Sequence, residues 1–295
     1  MSIKNIKIKN FLSKKKVLNQ KNKIYSLFKT LIKSDNQILS SLEKSYKDSY
    51  SKKIISGLKN INDINLIGMG GSALGAKAIF NFLKPKKKFN FIDNFSNFSF
   101  KQNDSKNINL VISKSGNTME TISNLSVLIN KSNKNIFITE NKKSYLMRLA
   151  NKLKAEVIHH NNFIGGRYSV LSEVGMLPAE LMGFKPKKFR RLNYLLKDKK
   201  FIDSLIQGVS NILTLNKNNI TNSIILNYDD RSNDLFSWYQ QLVAESLGKK
   251  NKGILPVISV MPRDNHSLMQ FYLDGTKNNF FTLFFVTEKN SKKIN

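Results

Sequence analysis

Residues 108–121 read INLVISKSGNTMET, and this stretch decides the predicted fold. Residues 108–112 form an apolar run of strand length, and a helical pattern begins at Thr118. The loop between them is polar and consists of Ser113, Lys114, Ser115, Gly116 and Asn117. An apolar strand that leads through a polar loop into a helix is typical of a parallel sheet covered by helices on both faces.

The same order of strand, loop and helix recurs on both sides of this stretch. Strands are predicted at 64–67, 89–92, 108–112, 135–139 and 156–158, and helices at 72–83, 118–131 and 143–153. These alternating elements predict a first α/β domain over residues 61–186.

A second series begins near Lys187 and predicts a second α/β domain over residues 187–295. Its strands are predicted at 223–228, 253–260 and 279–286, and its helices at 188–214, 231–247 and 265–274. The series has fewer strands than the first domain and no final helix, so we expect a domain that is incomplete at its C-terminus. Residues 1–60 show helical spacing around Ile24 and from about 36 to 58, which predicts a helical lead-in.

Composition excludes several classes of protein. With 40% apolar and 23% charged residues over 295 positions, the chain has the composition of a folded globular protein rather than a disordered one. The absence of Cys excludes disulfides, thiolate metal sites and Cys nucleophiles. No apolar run has the length of a membrane span, and the basic N-terminus lacks the apolar core of a signal peptide. We expect a cytoplasmic protein with no membrane partner.

The formal net charge of +29 first suggests a nucleic-acid-binding protein. However, nearly all of this charge is Lys, spread along the whole chain together with abundant Asn and Ile. Arginine, which forms bidentate hydrogen bonds to bases and to phosphates, occurs only at positions 148, 167, 190, 191, 231 and 263. We therefore interpret the charge as compositional drift on a solvated surface and expect no specific nucleic-acid partner.

A glycine-rich loop, GMGGSALG at residues 68–75, follows the strand at 64–67 and opens a helix. Glycines let a backbone approach a ligand closely, and free N–H groups at a helix start attract an anion. The spacing nearly matches a dinucleotide-binding fingerprint, with Ala73 in the last glycine position and Asp93 downstream. A dinucleotide site, a sugar-phosphate site and a purely structural turn all remain open at this point.

The loop at 113–118 also has two interpretations. Its three hydroxyl groups, its glycine and the helix start form a pocket suited to a phosphate monoester. Alternatively, Thr118 or Asn117 caps the helix, with Glu120 and Thr121 in its first turn. Alone, the two interpretations are about even; the nearby glycine-rich loop favours the phosphate pocket.

Further candidates for chemistry lie downstream. Arg167 follows a Gly-Gly pair, and a planar, permanently charged guanidinium suits a developing oxyanion; taken alone, a surface arginine beside a structural turn is an about equal alternative. Gln241 and Glu245 share a face of a helix, where Glu245 is a candidate base, although a solvated glutamate is the favoured interpretation of this residue taken alone. His266 is the better acid–base candidate among the histidines, since His159 and His160 look like surface or packing residues. No metal-ligand spacing is present, so we expect no metal.

Five segments in this order resemble the glucose-6-phosphate isomerase family, whose domains are of the flavodoxin-like sugar-isomerase (SIS) type. The resemblance covers roughly residues 61–285, through GMGGSALG, SKSGNTMET, GGRYSVLSEVGMLP, WYQQLVAESLGK and DNHSLMQ. It implies two SIS domains with parallel sheets flanked by helices, the second apparently truncated. It also implies the interconversion of glucose 6-phosphate and fructose 6-phosphate in glycolysis and gluconeogenesis, without a cofactor.

The resemblance implies a role for each matching residue. Glu245 would move the proton between C2 and C1, Arg167 would stabilise the enediolate, and His266 would assist ring opening from the partner subunit of a homodimer. Contacts with the sugar or its phosphate would come from Gly71, Ser72, Ser113, Lys114, Ser115, Thr118, Gly166 and Gln241. The family's C-terminal lysine has no match, because Lys289, Lys292 and Lys293 lie in no corresponding motif. Alternatives are a related isomerase of mannose 6-phosphate or another sugar phosphate, and a non-catalytic sugar-phosphate-binding protein.

Overall fold

The computed structural model describes residues 6–12, 20–58, 60–61, 63–95, 107–129 and 134–287. By its internal contacts the chain forms two compact units built from interleaved segments. The five-strand unit comprises residues 40–190 and 231–242, and the three-strand unit comprises residues 1–39, 191–230 and 243–295. The sequence-based division at residues 60 and 186 stays a prediction, and Lys289, Lys292 and Lys293 lie outside the described residues.

Strands and helices alternate as the sequence predicts. The strands are β1 (Asp63–Ile67), β2 (Lys88–Ile92), β3 (Ile108–Ile112), β4 (Lys134–Thr139), β5 (Glu156–His159), β6 (Asn222–Asn227), β7 (Leu255–Val260) and β8 (Asn279–Phe284). The first helices are α1 (Lys21–Lys33), α2 (Gln37–Ser41), α3 (Lys52–Gly57), α4 (Leu74–Leu83), α5 (Met119–Leu128) and α6 (Tyr145–Leu153). They are followed by α7 (Glu173–Leu181), α8 (Leu192–Leu195), α9 (Lys199–Lys217), α10 (Asn233–Leu247) and α11 (Met269–Asp274).

The five-strand unit contains a parallel sheet in the order β2-β1-β3-β4-β5. The chain runs outward from β1 to β2 and then returns to the other side of β1, so the strand order reverses between β1 and β3. In open parallel sheets, a ligand crevice forms at this reversal, outside the carboxyl ends of the strands. The glycine-rich loop follows β1, and the loop at residues 113–118, here called the hydroxyl loop, follows β3. The topology therefore places both candidate loops at that crevice.

Helices cover both faces of this sheet. On one face, α4 and α7 pack on alternate strand residues such as Leu66, Leu110 and Ile136. On the opposite face, α5 and α6 pack on the residues between them, including Val111 and Phe137. Burial on both faces explains why β3 is apolar at nearly every position, and it confirms the predicted doubly covered parallel sheet.

Asparagine side chains link four neighbouring strands across the middle of this sheet. Asn90 Nδ2 donates to Asn65 Oδ1 at 2.9 Å, Asn65 Nδ2 donates to Asn109 Oδ1 at 3.0 Å, and Asn109 Nδ2 donates to Asn135 Oδ1 at 2.9 Å. The four residues are directly opposite one another in the strand register. Such a ladder satisfies buried amides and fixes the register, since a slip of one residue would bring an apolar side chain opposite each amide.

We expect Asn109→Ala to lower the free energy of unfolding by about 2–4 kcal/mol, because it removes the hydrogen bonds that link the half-buried Asn65 and the buried Asn135 to Asn109. Urea denaturation followed by circular dichroism measures the change. Asn151→Ala, at an exposed position of α6, is the matched control and should alter stability by less than about 0.5 kcal/mol. Equal effects of the two substitutions would show that the ladder does not stabilise the sheet.

The three-strand unit holds a smaller parallel sheet in the order β7-β6-β8. In the same unit, α1 packs against α9. The predicted helix at 188–214 is divided into α8 and α9, because the Asp198 carboxylate accepts a hydrogen bond from Phe201 N at 3.0 Å and starts a new helix there. Along the described ranges of the chain, no helix combines the length and the apolar character needed to cross a membrane.

The helix predicted from about 36 to 58 is also interrupted. Only α2 and α3 are helical, and the intervening segment is irregular. Its side chains bond to distant parts of the five-strand unit instead: Tyr46 hydroxyl donates to Glu173, Tyr50 hydroxyl donates to Glu180, and Asp48 pairs with Arg190. These partners lie more than 120 residues away, so local helical spacing does not reveal them.

Candidate active site

The three hydroxyl groups of the loop at 113–118 form one cluster. Ser113 Oγ and Thr118 Oγ1 are 2.8 Å apart, and Ser115 Oγ and Thr118 Oγ1 are 3.5 Å apart. Gly116, at a φ of +66°, makes the sharp bend that brings Ser113 and Thr118 together, and a Cβ there would lie 2.3 Å from Ser144 Oγ. Ser113 is buried and Ser115 exposed, so the cluster reaches from the sheet end to the surface.

The geometry distinguishes the two interpretations of this loop. Thr118 occupies the N-cap position of α5, but among the described residues its side chain accepts no capping hydrogen bond from the first turn. The Asn117 side chain accepts from Tyr145 N at 2.9 Å, so it is directed to α6 rather than to its own helix. The hydroxyls therefore bond to one another beside a helix start that lacks a side-chain cap, which is the arrangement expected of an anion pocket.

The Lys114 side chain is bound to neighbouring protein groups. Its Nζ donates to Asn162 O at 2.8 Å and lies 3.4 Å from Glu140 Oε1. The backbone carbonyl of Lys114 accepts a hydrogen bond from Glu140 N at 3.1 Å. Lys114 thus links the hydroxyl loop to the segment that precedes Arg167, and the pocket presents hydroxyl and backbone groups formed by Ser113, Ser115 and Thr118.

The glycine-rich loop lies against the Arg167 loop, which comprises residues 161–171. A Cβ on Gly71 would lie 2.2 Å from the carbonyl carbon of Gly166 and 2.6 Å from Arg167 N. Ser169 Oγ donates to Gly166 O at 2.7 Å and stabilises the 3-10 helix Gly166–Leu171. Only glycine permits this approach of two backbones at position 71, which explains Gly71.

Helix α10 contacts both of these loops. A Cβ on Gly70, whose φ is +52°, would lie 2.8 Å from Gln241 Nε2, so Gln241 packs directly over the glycine-rich loop. Trp238, one turn earlier on α10, donates from Nε1 to Arg167 O at 3.1 Å. The guanidinium of Arg167 lies over the Tyr168 ring, 4.6 Å from its centre. The five-strand unit thus brings together Gly71, Gly166, Arg167 and Gln241.

Asp93 has a role other than the ribose contact considered above. Lys77 Nζ lies 2.9 Å from Asp93 and 3.8 Å from Asp234 at the start of α10, and Asn81 also donates to Asp234. Asp93 therefore helps hold α10 beside α4. Its engagement with Lys77 weakens the dinucleotide interpretation, in which this carboxylate binds a ribose.

Buried polar residues lie on the other side of the Arg167 loop. Burial raises the pKa of Glu173, which accepts from Asn161 N at 2.7 Å and from the Tyr46 hydroxyl at 3.3 Å. Burial raises the pKa of Tyr46 to about 12 and lowers the pKa of His160 to about 4, so Tyr46 and His160 are both neutral near pH 7. His160 is buried and His159 exposed, as expected of packing and surface residues.

The remaining predicted site residues have clear positions in the fold. Ser72 ends the short 3-10 turn Gly70–Ser72 and is half-buried. Glu245 is exposed in the last turns of α10, four residues beyond Gln241 and on the same helical face. His266 is exposed and follows the 3-10 turn Arg263–Asn265. Glu245 and His266 both belong to the three-strand unit.

Several contacts that shape the site are not indicated by the motifs, although Trp238 itself begins the segment WYQQLVAESLGK. Trp238 holds the Arg167 backbone, Lys77 holds α10, and Arg190 contacts the end of the Arg167 loop. The sequence carries one signal for Arg190, namely an arginine in a chain whose basic residues are nearly all Lys. Trp238 carries a similar signal, because it is the single tryptophan of the chain.

Comparison with known proteins agrees with this geometry. The family model for phosphoglucose isomerase matches residues 30–254. The chain belongs to the phosphoglucose isomerase family. The match includes the hydroxyl loop, the glycine-rich loop, Arg167 and the Gln241–Glu245 face of α10, so the family resemblance drawn from the five segments is confirmed.

Curated members of the phosphoglucose isomerase family are similar along most of this chain. The glucose-6-phosphate isomerase of Methanocaldococcus jannaschii is 33% identical, and the aligned region covers 87% of this chain and 67% of that protein. The glucose-6-phosphate isomerase of Campylobacter jejuni is 31% identical over 82% of this chain and 64% of its own length. The chain thus spans about two thirds of the length of these two relatives.

A solved structure shares the fold. A protein from Thermus thermophilus, described as hypothetical, superposes with a TM-score of 0.72 at 22% identity. The superposition covers 90% of this chain and 70% of the Thermus chain. At this identity the likeness concerns the fold alone, and it agrees with the parallel sheets described above.

Proposed function

We propose that this chain catalyses the reversible isomerisation of glucose 6-phosphate and fructose 6-phosphate. The observation that carries the proposal is the backbone contact between Gly71 and Gly166, which brings Arg167 to the glycine-rich loop in a member of this family, with Gln241 packed on the neighbouring Gly70. The hydroxyl loop after β3 supplies a pocket for the substrate phosphate at the same sheet edge. The curated relatives named glucose-6-phosphate isomerase support the choice of substrate.

The reaction needs a base, an oxyanion stabiliser and a fixed substrate. In the proposed mechanism, Ser113, Ser115, Thr118 and backbone N–H groups bind the phosphate, and this binding positions the reacting carbons. Glu245 removes the proton alpha to the carbonyl and returns it to the neighbouring carbon, which passes the substrate through a cis-enediolate. Arg167 stabilises the negative charge that develops on the enediolate oxygen. Gly71, Ser72, Gly166, Gln241 and the Lys114 backbone complete the sugar contacts.

A coupled assay that detects glucose 6-phosphate formed from fructose 6-phosphate tests this proposal. We expect turnover with fructose 6-phosphate. We also expect kcat/KM to be at least about tenfold lower with mannose 6-phosphate than with glucose 6-phosphate, since these two aldoses differ in configuration at the reacting C2 centre. Turnover of mannose 6-phosphate at an equal or higher kcat/KM would assign the chain to a related isomerase. Tight calorimetric binding of fructose 6-phosphate without any turnover would make it a binding protein.

The phosphate pocket leads to a prediction for Thr118. We expect Thr118→Val to raise the KM for fructose 6-phosphate about tenfold, because it removes a hydroxyl that bonds to a charged phosphate and keeps the shape of the side chain. Initial rates over a range of substrate concentrations measure the change. Thr30→Val on α1, an exposed Thr, is the matched control and should leave KM unchanged. An unchanged KM in Thr118→Val would place the phosphate elsewhere.

We further propose a cytoplasmic homodimer in which His266 enters the active site of the partner subunit and assists ring opening. This arrangement predicts complementation between two impaired variants, Glu245→Gln and His266→Ala. In a randomly mixed dimer population, about half of the dimers carry both variants, and each of these has one intact site. Refolding the two variants together should therefore restore about a quarter of wild-type activity.

The complementation has two controls. Each variant refolded alone should stay at its own low activity, and sedimentation analysis should show dimers in both samples. If His266 serves the site of its own subunit, every site in the mixture retains one defect and activity does not rise above the average of the two variants. That outcome would contradict the shared site.

A further inference from the structure

A buried arginine, Arg190, is the last residue of the segment 40–190 of the five-strand unit. Its side chain is only 2% exposed, and its Nη2 is 2.5 Å from Asp48 Oδ1. The guanidinium also lies over the Tyr46 ring at 4.9 Å from its centre and donates from Nη1 to Tyr46 O at 3.3 Å. The charge is therefore paired and hydrogen-bonded, as a buried charge must be.

The same guanidinium holds the last carbonyl of the 3-10 helix Gly166–Leu171, which carries Arg167. Arg190 donates to Leu171 O from Nε at 3.1 Å and from Nη2 at 2.8 Å. A two-point contact from a planar group fixes the direction of that carbonyl as well as its position. A lysine offers a single donor centre at the end of a flexible chain and does not reproduce this geometry.

The beginning of the Arg167 loop is fixed to the same buried cluster. Asn161 N donates to Glu173 Oε1 at 2.7 Å, and Asn161 Nδ2 donates to the Tyr46 hydroxyl at 3.4 Å. Tyr46 in turn contacts both Glu173 and Arg190. Residues 161–171 are thus held at both ends by one cluster, which consists of Tyr46, Asp48, Glu173 and Arg190.

Energetic considerations favour a specific role for this cluster. A buried ion pair adds little net stability compared with apolar packing, because removing both charges from water is costly. What it provides is a defined geometry. Oxyanion stabilisation needs such definition, since a displacement of about 1 Å lowers a rate by about a hundredfold.

We propose that Arg190 is a positioning residue, which acts through Leu171 and the 3-10 helix to hold Arg167 in the geometry that the isomerisation requires. Its kinetic consequence rests on the proposed function, whereas the anchoring of the loop does not. Two measurements on the full chain therefore test the two parts separately.

The first measurement is hydrogen–deuterium exchange of wild type and Arg190→Lys, which keeps the charge opposite Asp48. We expect at least about tenfold faster amide exchange within residues 163–171 and unchanged exchange in the hydroxyl loop. Arg148→Lys, at an exposed position of α6, is the matched control and should exchange like wild type. Unchanged exchange in residues 163–171 of Arg190→Lys would overturn the proposal, whether or not the chain is an isomerase.

The second measurement is a double-mutant cycle in kcat for fructose 6-phosphate. Arg190→Lys should lower kcat by about ten- to a hundredfold with KM changed by less than about threefold. In an Arg167→Lys background the same substitution should lower kcat by less than about twofold, because the group it positions is already altered. Effects that multiply in the double variant would show a general loss of stability and overturn the role through Arg167.

A wild type without turnover and an Arg190→Lys variant that does not fold are two further possible outcomes. Absence of turnover in wild type would contradict the proposed function, and the exchange measurement would then decide the anchoring by itself. If Arg190→Lys does not fold, Asp48→Asn takes its place in both measurements, because Arg190 Nη2 bonds to both Asp48 and Leu171 O, and loss of the ion pair weakens the orientation of the guanidinium toward Leu171 O. Wild-type exchange and kcat in that variant would overturn the proposal.

Discussion

Replacing Glu245 by Gln should lower kcat for fructose 6-phosphate by at least about a thousandfold, with KM changed by less than about threefold. The amide keeps the size and the polarity of the side chain but cannot accept the proton that the proposed mechanism moves between C2 and C1. Helix α10 explains why this residue is the candidate: Gln241 packs on the glycine-rich loop at Gly70, and Glu245 lies one turn further along the same face.

Steady-state kinetics on purified Glu245→Gln and on a control measure this effect. Glu156→Gln is the matched control, because Glu156 is an exposed carboxylate on β5 that takes no part in the proposed site. Circular dichroism and the thermal midpoint should be the same in both variants. A Glu245→Gln variant with a kcat within about tenfold of wild type would show that another group is the base.

The sheets were predictable because their signals are local. The β-strands are short, mostly apolar runs, and β1, β2 and β3 are followed directly by Gly68, Asp93 and Ser113. Burial on both faces makes β3 apolar at every position except Asn109. The irregular segment around Tyr46 to Tyr50 was not predictable, because its structure depends on Glu173, Glu180 and Arg190, which are distant in sequence. A local pattern of apolar residues carries no information about such partners.

The asparagine ladder shows a second limit. High Asn content is consistent with compositional drift, yet Asn65, Asn109 and Asn135 are opposite one another inside the sheet. Their pairing depends on the register of strands whose paired residues are 26 and 44 positions apart in sequence. Composition alone cannot distinguish these buried amides from the solvated ones.

For the site, residue types identify the loops, and the structure supplies their contacts. Hydroxyls at 113, 115 and 118 suggest both a cap and a pocket; the nearby glycine-rich loop favours the pocket from the sequence, and the side-chain geometry of Thr118 and Asn117 adds the structural reason. The sequence likewise marks Gly71 and Gly166 as permissive positions, but it does not show that they face each other. That contact is a product of the tertiary fold.

We expect Gly71→Ala to lower kcat/KM for fructose 6-phosphate by at least about a hundredfold, the second large effect that the geometry predicts. The new methyl group would lie 2.2 Å from the carbonyl carbon of Gly166 and 2.3 Å from its oxygen. Both obstacles are backbone atoms, so no side-chain rotation relieves the clash, and the two loops must separate by about 1 Å to reach ordinary van der Waals contact. The separation displaces Arg167, whose own N would lie 2.6 Å from the new methyl group.

Gly208→Ala provides the control, because a Cβ on Gly208 in α9 would meet no atom within 4 Å. We expect wild-type kcat/KM from this variant and a free energy of unfolding raised by up to about 1 kcal/mol, since alanine is the better helix former. The two variants add the same methyl group to the same chain, so the difference in kcat/KM isolates the contact between the loops. Wild-type kcat/KM in Gly71→Ala would mean that the close approach of Gly71 and Gly166 does not set the position of Arg167 during the reaction.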